Sequence, residues 1–139
     1  MYLRLLSSSD YKDYMELINE FRPSTLTSNE FDTIHSMMDT REVWVAVDNI
    51  SQKIIGTGTL IYEHKFIHNG GVVSHIEDVI ISKEHKGKGY GKFLIEHLTR
   101  RASYNKKCYK VILNCSEEFV LFYEKCGYTC TNLQMEYRF

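Results

Sequence analysis

Lysine and glycine alternate between residues 86 and 92 in a pattern that suits anion binding. The run reads Lys86-Gly87-Lys88-Gly89-Tyr90-Gly91-Lys92. Glycines allow close approach of the backbone to a ligand, and a helix N-terminus offers free amide hydrogens and a favourable dipole to phosphate. The run therefore predicts a phosphate site where a helix begins. A solvated turn with incidental lysines is the alternative.

Two known phosphate-binding motifs do not fit this run. A Walker loop needs glycine at the position of Lys86 and Ser or Thr at the position of Phe93. A dinucleotide-binding Gly-x-Gly-x-x-Gly motif that starts at Gly87 needs glycine at the position of Lys92. Both motifs are excluded.

Two other places carry groups that could do chemistry. Glu77 and Asp78 are adjacent in an otherwise apolar stretch, and carboxylates there are costly unless they are paired or face a cleft. A strand end that simply reaches water is the alternative. Tyr123 could donate a proton, because a phenol with a pKa of about 10 is neutral at physiological pH. The sequence alone favours a core aromatic, because Tyr123 shares one helical face with Phe119.

The bulk composition favours a soluble globular protein. A chain of 139 residues with 43% hydrophobic residues predicts one domain, residues 1–139. A net charge of -1 argues against a nucleic-acid partner bound by bulk attraction. No apolar run approaches the length of a membrane span, and the N-terminus does not resemble a signal peptide. We expect a cytoplasmic protein with no membrane partner.

The cysteines indicate neither a metal site nor a disulfide framework. Cys108, Cys115, Cys126 and Cys130 include no C-x-x-C pair and lack zinc-finger spacing. A chain of this size does not need disulfides for stability. We expect buried free thiols and no metal.

Hydrophobic periodicity and breaker residues predict an alternation of strands and helices. Ser8-Ser9-Asp10 offers caps for the first helix, Pro23 ends it, and Ser28 caps the second. The strand at 72–82 has a continuous Val79-Ile80-Ile81 run and is expected to be central. The predicted strands are 2–6, 43–47, 53–63, 72–82, 108–115 and 128–139, and the later helices are 90–104 and 117–126.

With its neighbours, the 86–92 run resembles the coenzyme A loop of the GNAT superfamily of N-acetyltransferases. That loop reads Arg or Gln, two residues, Gly, one residue, Gly or Ala; here Lys86, Gly89 and Gly91 occupy the defined positions. Lysine at the first position is a departure. The resemblance implies acetyl-CoA as co-substrate, without a metal, and the GNAT acyl-CoA N-acyltransferase fold: α/β (α+β), with a central mixed, mostly antiparallel sheet flanked by helices.

Three segments are similar, more specifically, to glucosamine 6-phosphate N-acetyltransferases. They are residues 63–68, 75–79 and 108–128. The resemblance implies direct transfer of acetyl to a sugar-phosphate amine in UDP-N-acetylglucosamine biosynthesis. Two alternatives stay open: a GNAT enzyme for another small amine or a protein lysine, and a non-catalytic coenzyme A binding module.

The resemblance also implies roles at the cofactor. The backbone of Glu77, Asp78 and Val79 would bind the pantetheine arm and polarise the thioester carbonyl at a strand bulge. Tyr123 would stand next to the coenzyme A sulfur as the acid, and Glu77, through water, is a candidate base. The implied cofactor-binding residues are Glu77, Asp78, Val79, Lys86, Gly87, Lys88, Gly89, Tyr90, Gly91, Lys92 and Tyr123.

For the sugar phosphate, the resemblance implies a loop, a C-terminal arginine and a homodimer. Relatives exchange the last strand between protomers, and the alternation of Leu133, Met135, Tyr137 and Phe139 is compatible with a paired strand. Asn114 replaces a usual Asp or Glu, and Phe119 a usual asparagine. The implied substrate-binding residues are Lys65, Phe66, Ile67, His68, Glu77, Asp78, Asn114, Arg138 and Thr25.

Overall fold

Five β-rich segments pair into one sheet in the computed structural model, which describes residues 1–139. The strands are β1 (Tyr2–Leu5), β2 (Arg41–Val47), β3 (Ile54–His64), β4 (Val72–Ile81) and β5 (Cys108–Leu113). They lie side by side in chain order. Neighbours are antiparallel except β4 and β5, which are parallel. The predicted mixed, mostly antiparallel sheet is confirmed.

Helices cover both faces of this sheet. The helices are α1 (Tyr11–Phe21), α2 (Ser28–Ser36), the single distorted turn α3 (Ile67–Gly70), α4 (Tyr90–Ser103) and α5 (Val120–Glu124). Helix α4 places Leu94, Ile95, Leu98 and Ala102 against Leu60 and Ile76 on one face. The other face carries a second cluster in which Leu17 of α1 packs on Val45, Val47, Ile54 and Ile80. The apolar residues whose spacing predicted α4 are therefore the ones that it buries.

The cap of α2 lies one residue before the predicted Ser28, whereas α1 begins directly after the predicted Asp10. Ser7 caps the 3-10 turn Ser8–Asp10 that precedes α1, and Thr27 caps α2. In both cases an acidic residue three positions later, Asp10 or Glu30, completes a capping box. The acidic residue at N3 is therefore the signal that fixes these starts.

The expectation that residues 72–82 form the central strand is wrong, because this strand lies next to the central one. β3 lies in the middle of the sheet, and β4 lies between β3 and β5. The run Val79-Ile80-Ile81 is apolar because α1 and α4 pack on opposite faces of β4 there.

The C-terminal segment also corrects the prediction. Residues 128–139 form no strand, because no strand of the same chain pairs with them. Leu133 and Met135 are 97% and 95% exposed. Before this segment, the predicted helix 117–126 is a 3-10 turn, Glu117–Phe119, followed by α5. No helix has the length and apolar character needed to cross a membrane.

Candidate active site

The glycine turn forms a cradle at the start of α4. Gly87 and Gly89 have φ angles of 75° and 82°, which favour glycine, and a Cβ at either position would meet no atom within 4 Å. The helical hydrogen bonds begin with Phe93 N donating to Gly89 O at 3.1 Å. The backbone amides of residues 90–92 therefore precede the helical ladder and point toward the turn. This open, donor-rich cradle fits a pyrophosphate.

Lysines surround the cradle. Lys86, Lys88 and Lys92 are all exposed. Only Lys92 has an acidic neighbour, Glu96, at 3.7 Å in the next helical turn. The turn therefore concentrates positive charge in a chain whose net charge is -1.

Gly91 joins this turn to α5. A Cβ there would lie 3.4 Å from Phe122 Cζ and 3.7 Å from Ile81 Cγ1, so α5 packs directly on the first turn of α4. The Phe122 ring also meets the Tyr123 ring edge-on at 5.0 Å. This packing places Tyr123 beside the helix that carries the cradle.

β4 has a bulge at the predicted acidic pair. Thr57 of β3 pairs with Ile80 and Thr59 pairs with Glu77, so β4 has one extra residue in this interval. Asp78 takes a left-handed conformation, φ 51°, which Asp tolerates better than most residues. Asp78 is exposed, whereas Glu77 and Val79 are half-buried.

β4 and β5 separate at the same level. Their pairing ends at Ile76 and Leu113, while β4 continues to Ile81. The edge of β4 from Glu77 onward therefore has no strand partner on the β5 side. Unpaired backbone groups of this kind can hydrogen-bond an extended ligand as an added strand would. The opening leads from the bulge toward the glycine turn that follows β4.

Strand alternation places several polar side chains on one face near the bulge. Glu77 of β4 lies opposite Thr59 of β3. His75 of β4 lies opposite Ile61 of β3 on one side and Ile112 of β5 on the other. Asn114 continues the face of Ile112 just beyond β5. The structure thus brings Glu77, His75 and Asn114 to one face of the sheet at the point where β5 ends.

The predicted substrate loop follows β3. Lys65 donates its backbone N–H to Gly71 O at 2.9 Å, which closes the loop, and its ammonium pairs with Glu63. His68 adopts a left-handed φ of 53° and packs on Tyr109 with ring centroids 4.5 Å apart. Phe66 and Ile67 point into solvent. The loop therefore presents one cation and two apolar side chains.

Tyr123 is half-buried, and the pKa of its phenol is raised. Burial raises the pKa of its phenol, and the neighbouring Cys115 and Cys126 thiols raise it further. The phenol therefore stays protonated through the neutral pH range. A protonated phenol of this kind can act as a proton donor.

Two predicted residues are not brought to this site within the chain. Arg138 lies on the exposed C-terminal segment, where its Nε donates to Glu136 Oε1 at 2.9 Å. Thr25 is exposed between α1 and α2. Neither contacts Glu77, His75 or Asn114.

Sequence reasoning missed a cavity of about 240 Å³ between the sheet and helices α1 and α2. Asp78, Thr59 and Ile61 form its floor, and Tyr14 of α1 lines it. Burial raises the pKa of Tyr14, although a hydrogen bond with Thr57 opposes this. The amphipathic stripe of α1 did include Tyr14, but nothing in the stripe distinguished a cavity wall from core.

A second missed feature is an open cleft of about 390 Å³ beside the C-terminal end of α4. Arg101 donates two hydrogen bonds to Glu42, each 2.9 Å long. Burial raises the pKa of the Glu42 carboxyl, but the hydrogen bonds from Arg101 and Trp44 outweigh it and lower that pKa overall. Burial and the Glu42 carboxylate raise the pKa of Tyr62 to about 12. The cleft is lined by Asp39, Thr40, Tyr62, His64, Arg101, Tyr104 and Asn105.

Comparison with known proteins identifies the same architecture and chemistry. The acetyltransferase (GNAT) domain family matches residues 39–130. The chain is 38% identical to an Arabidopsis thaliana protein named glucosamine 6-phosphate N-acetyltransferase, over 96% of this chain and 93% of the relative. It is 39% identical to glucosamine 6-phosphate N-acetyltransferase 1 of Dictyostelium discoideum, over 95% of this chain and 87% of that one.

A solved structure of one of these relatives has the same fold as this chain. The crystal structure of the Arabidopsis thaliana glucosamine-6-phosphate N-acetyltransferase superposes with a TM-score of 0.89 at 37% identity, covering 99% of this chain and 97% of that one. The sheet and its covering helices thus have a known acetyltransferase fold. The chain is a member of the GNAT acetyltransferase family.

Proposed function

We propose that this chain transfers the acetyl group of acetyl-CoA to the amine of glucosamine 6-phosphate. The products are N-acetylglucosamine 6-phosphate and coenzyme A, ahead of UDP-N-acetylglucosamine. The single observation that carries the transfer is the unpaired, bulged edge of β4 leading to the glycine cradle. The names of the relatives support the sugar phosphate as acceptor.

The turn and the β4 edge divide the binding of acetyl-CoA between them. The amides of Gly87 to Lys92 and the nearby lysines hold the pyrophosphate. The backbone at Glu77, Asp78 and Val79 hydrogen-bonds the pantetheine arm and polarises the thioester carbonyl. Donors fixed in this way stabilise the charge that develops on the carbonyl oxygen in the transition state.

The reaction is a direct attack within a ternary complex. The sugar ammonium first loses a proton, for which Glu77 acting through water is the base. The neutral amine then forms the new C–N bond, its nitrogen gives up a second proton to water, and the C–S bond breaks as the tetrahedral intermediate collapses. Tyr123 gives its proton to the departing thiolate. Positioning of the two substrates supplies a large share of the rate.

The sugar phosphate lies on the polar face of the sheet beside the end of β5. Lys65 and His68 contact the phosphate from the loop, and Asn114 replaces a carboxylate with an amide that can still hydrogen-bond the sugar. The substrate-binding set is Lys65, Phe66, Ile67, His68, Glu77, Asp78, Asn114, Arg138 and Thr25.

A homodimer completes this site. The C-terminal segment, which lacks a strand partner in its own chain, crosses to a second copy, and its Arg138 reaches the neighbour's sugar phosphate. Exposure of Leu133 and Met135 supports this exchange, because pairing would bury them. Residues 1–139 act as one N-acetyltransferase domain of a cytoplasmic enzyme.

Replacement of Arg138 tests the acceptor assignment. We expect Arg138→Ala to raise the KM for glucosamine 6-phosphate at least about tenfold, since a charge-assisted arginine–phosphate contact is lost. The KM for acetyl-CoA should stay unchanged. Arg100→Ala, at an exposed position on α4, serves as the matched control. Equal increases in both constants would contradict a role at the phosphate.

A further inference from the structure

Three charged or titratable side chains form a chain of contacts at the end of β3. The Glu63 carboxylate accepts a hydrogen bond from the Lys65 ammonium through one oxygen. Its other oxygen lies 2.8 Å from His75 Nε2. Glu63 thereby connects the loop that follows β3 with the strand that carries Glu77 and Asp78.

The backbone imposes this arrangement. Residues 63 and 65 are two positions apart and lie on one side of the chain as β3 ends. Glu63 pairs with Val73 across the ladder, so His75 is its diagonal neighbour on the adjacent strand. The hydrogen bonds from Lys65 and then His75 hold the pKa of the Glu63 carboxyl below its ordinary value. Glu63 is therefore ionised at neutral pH.

We infer that Glu63 is a positioning residue, which fixes the Lys65 ammonium against β4 so that Lys65 meets the phosphate of the acceptor. This inference rests on the proposed function, which places Lys65 at the sugar phosphate. A lysine side chain on a solvated loop has four rotatable bonds and pays rotamer entropy when it binds an anion. An anchored ammonium has already lost part of that freedom.

Glu63 does not need to release Lys65 when the phosphate binds. An ammonium has three donors, so one can stay on Glu63 while two turn to the phosphate. The Glu63 side chain is 44% exposed, which allows water to screen its repulsion of the phosphate. Its second oxygen is taken by His75. These contacts therefore let Glu63 hold Lys65 in place without competing with the phosphate for its ammonium.

Variants of Glu63 and Lys65 separate this role from general stability. We expect Glu63→Ala to raise the KM for glucosamine 6-phosphate roughly threefold to tenfold, as for a partly exposed charged contact. Glu63→Gln, which keeps hydrogen bonds without the charge, should give a smaller increase. Neither should change the KM for acetyl-CoA or for unphosphorylated glucosamine. Glu16→Ala removes another ion pair, Glu16 to Lys53 at 3.5 Å, and is the matched control.

A double-mutant cycle asks whether Glu63 acts through Lys65. In a Lys65→Met background, Glu63→Ala should have almost no further effect on the sugar-phosphate KM. Hydrogen exchange of amides 65–70 in the free protein should be faster in Glu63→Ala and unchanged in Glu16→Ala. Additive effects in the cycle, or unchanged exchange and KM, would overturn the inference.

Failure of the proposed function would look different. If the wild-type protein acetylates glucosamine as well as glucosamine 6-phosphate, the phosphate site is wrong and the role of Glu63 falls with it. If the wild-type protein prefers the phosphorylated sugar and Glu63→Ala keeps that preference in full, only the role of Glu63 is overturned.

Discussion

The glycine turn and the C-terminal segment are opposite cases within one chain. Residues 86–92 adopt a defined cradle whose geometry rests on local features, namely positive φ at Gly87 and Gly89 and a helix that begins at Tyr90. Residues 128–139 have an equally regular pattern, with alternating apolar side chains, yet form no strand. The first region carries its structure in its own sequence, whereas the second needs a partner for its hydrogen bonds.

The difference follows from where each region's hydrogen bonds go. A helix satisfies its backbone groups within one segment, so its start can be read from glycines and periodicity. A strand satisfies them on a neighbouring strand, so alternation indicates only that pairing is possible. In the proposed dimer, the exchanged segment of a second copy supplies that neighbour.

Removal of the C-terminal segment should have the largest effect on activity, because this segment is the region that needs a partner. We expect deletion of residues 131–139 to lower kcat/KM for glucosamine 6-phosphate by about a hundredfold or more, because Arg138 and the exchanged strand are lost together. Coenzyme A should still bind, and the mass measured by light scattering should become that of a monomer. Tyr128 stays in place, since its hydroxyl lies 2.6 Å from Thr99 Oγ1. Full activity of the shortened monomer would refute strand exchange.

Substitution of Gly89 tests the glycine turn, the region whose structure depends on local features. We expect Gly89→Val to lower kcat/KM for acetyl-CoA about twentyfold, because a β-branched residue is strained at a φ of 82° and the cradle must shift. Gly89→Asn is the matched control, since Asn tolerates a left-handed conformation and should keep most activity. Steady-state titration of acetyl-CoA, with circular dichroism to monitor folding, distinguishes them. Equal activity of the two variants would mean that the backbone conformation at Gly89 does not matter.

Replacement of Tyr123 should have the smallest effect of the three. We expect Tyr123→Phe to lower kcat about tenfold, because a thiolate leaves readily and needs only modest help from an acid. The pKa of Tyr123 is raised above its ordinary value of 10, so the donor form persists at neutral pH and is lost only as the pH rises past that range. The wild-type rate should therefore fall at high pH, and the Phe variant should lack that loss. Identical pH profiles for both proteins would remove Tyr123 as the acid.

Much of the fold could be predicted because its signals are local. The boundaries of α4 and the apolar stripe Leu94, Ile95, Leu98 and Ala102 follow directly from periodicity. The order of elements before residue 128 follows from the alternation of β-rich and amphipathic segments. The position of β4 within the sheet could not be predicted, because a continuous apolar run indicates two covered faces but not the number of strands on each side.

The candidate site was predictable to the extent that its residues form motifs. The turn and the adjacent acidic pair stood out from residue types alone, while the contact between Glu63 and His75 depends on the register of β3 and β4. The cavity beside Tyr14 likewise depends on how α1 lies over the sheet. Features produced by long-range packing leave little trace in one sequence.

One assay tests the central claim most directly. Thiol release from acetyl-CoA is measured with glucosamine 6-phosphate, glucosamine and spermidine at equal concentrations. The phosphorylated sugar should give the highest kcat/KM, because the loop cation Lys65 and Arg138 suit an anionic acceptor and repel a polyamine. Faster turnover of spermidine or glucosamine, or no thiol release with any of the three, would contradict the proposed function.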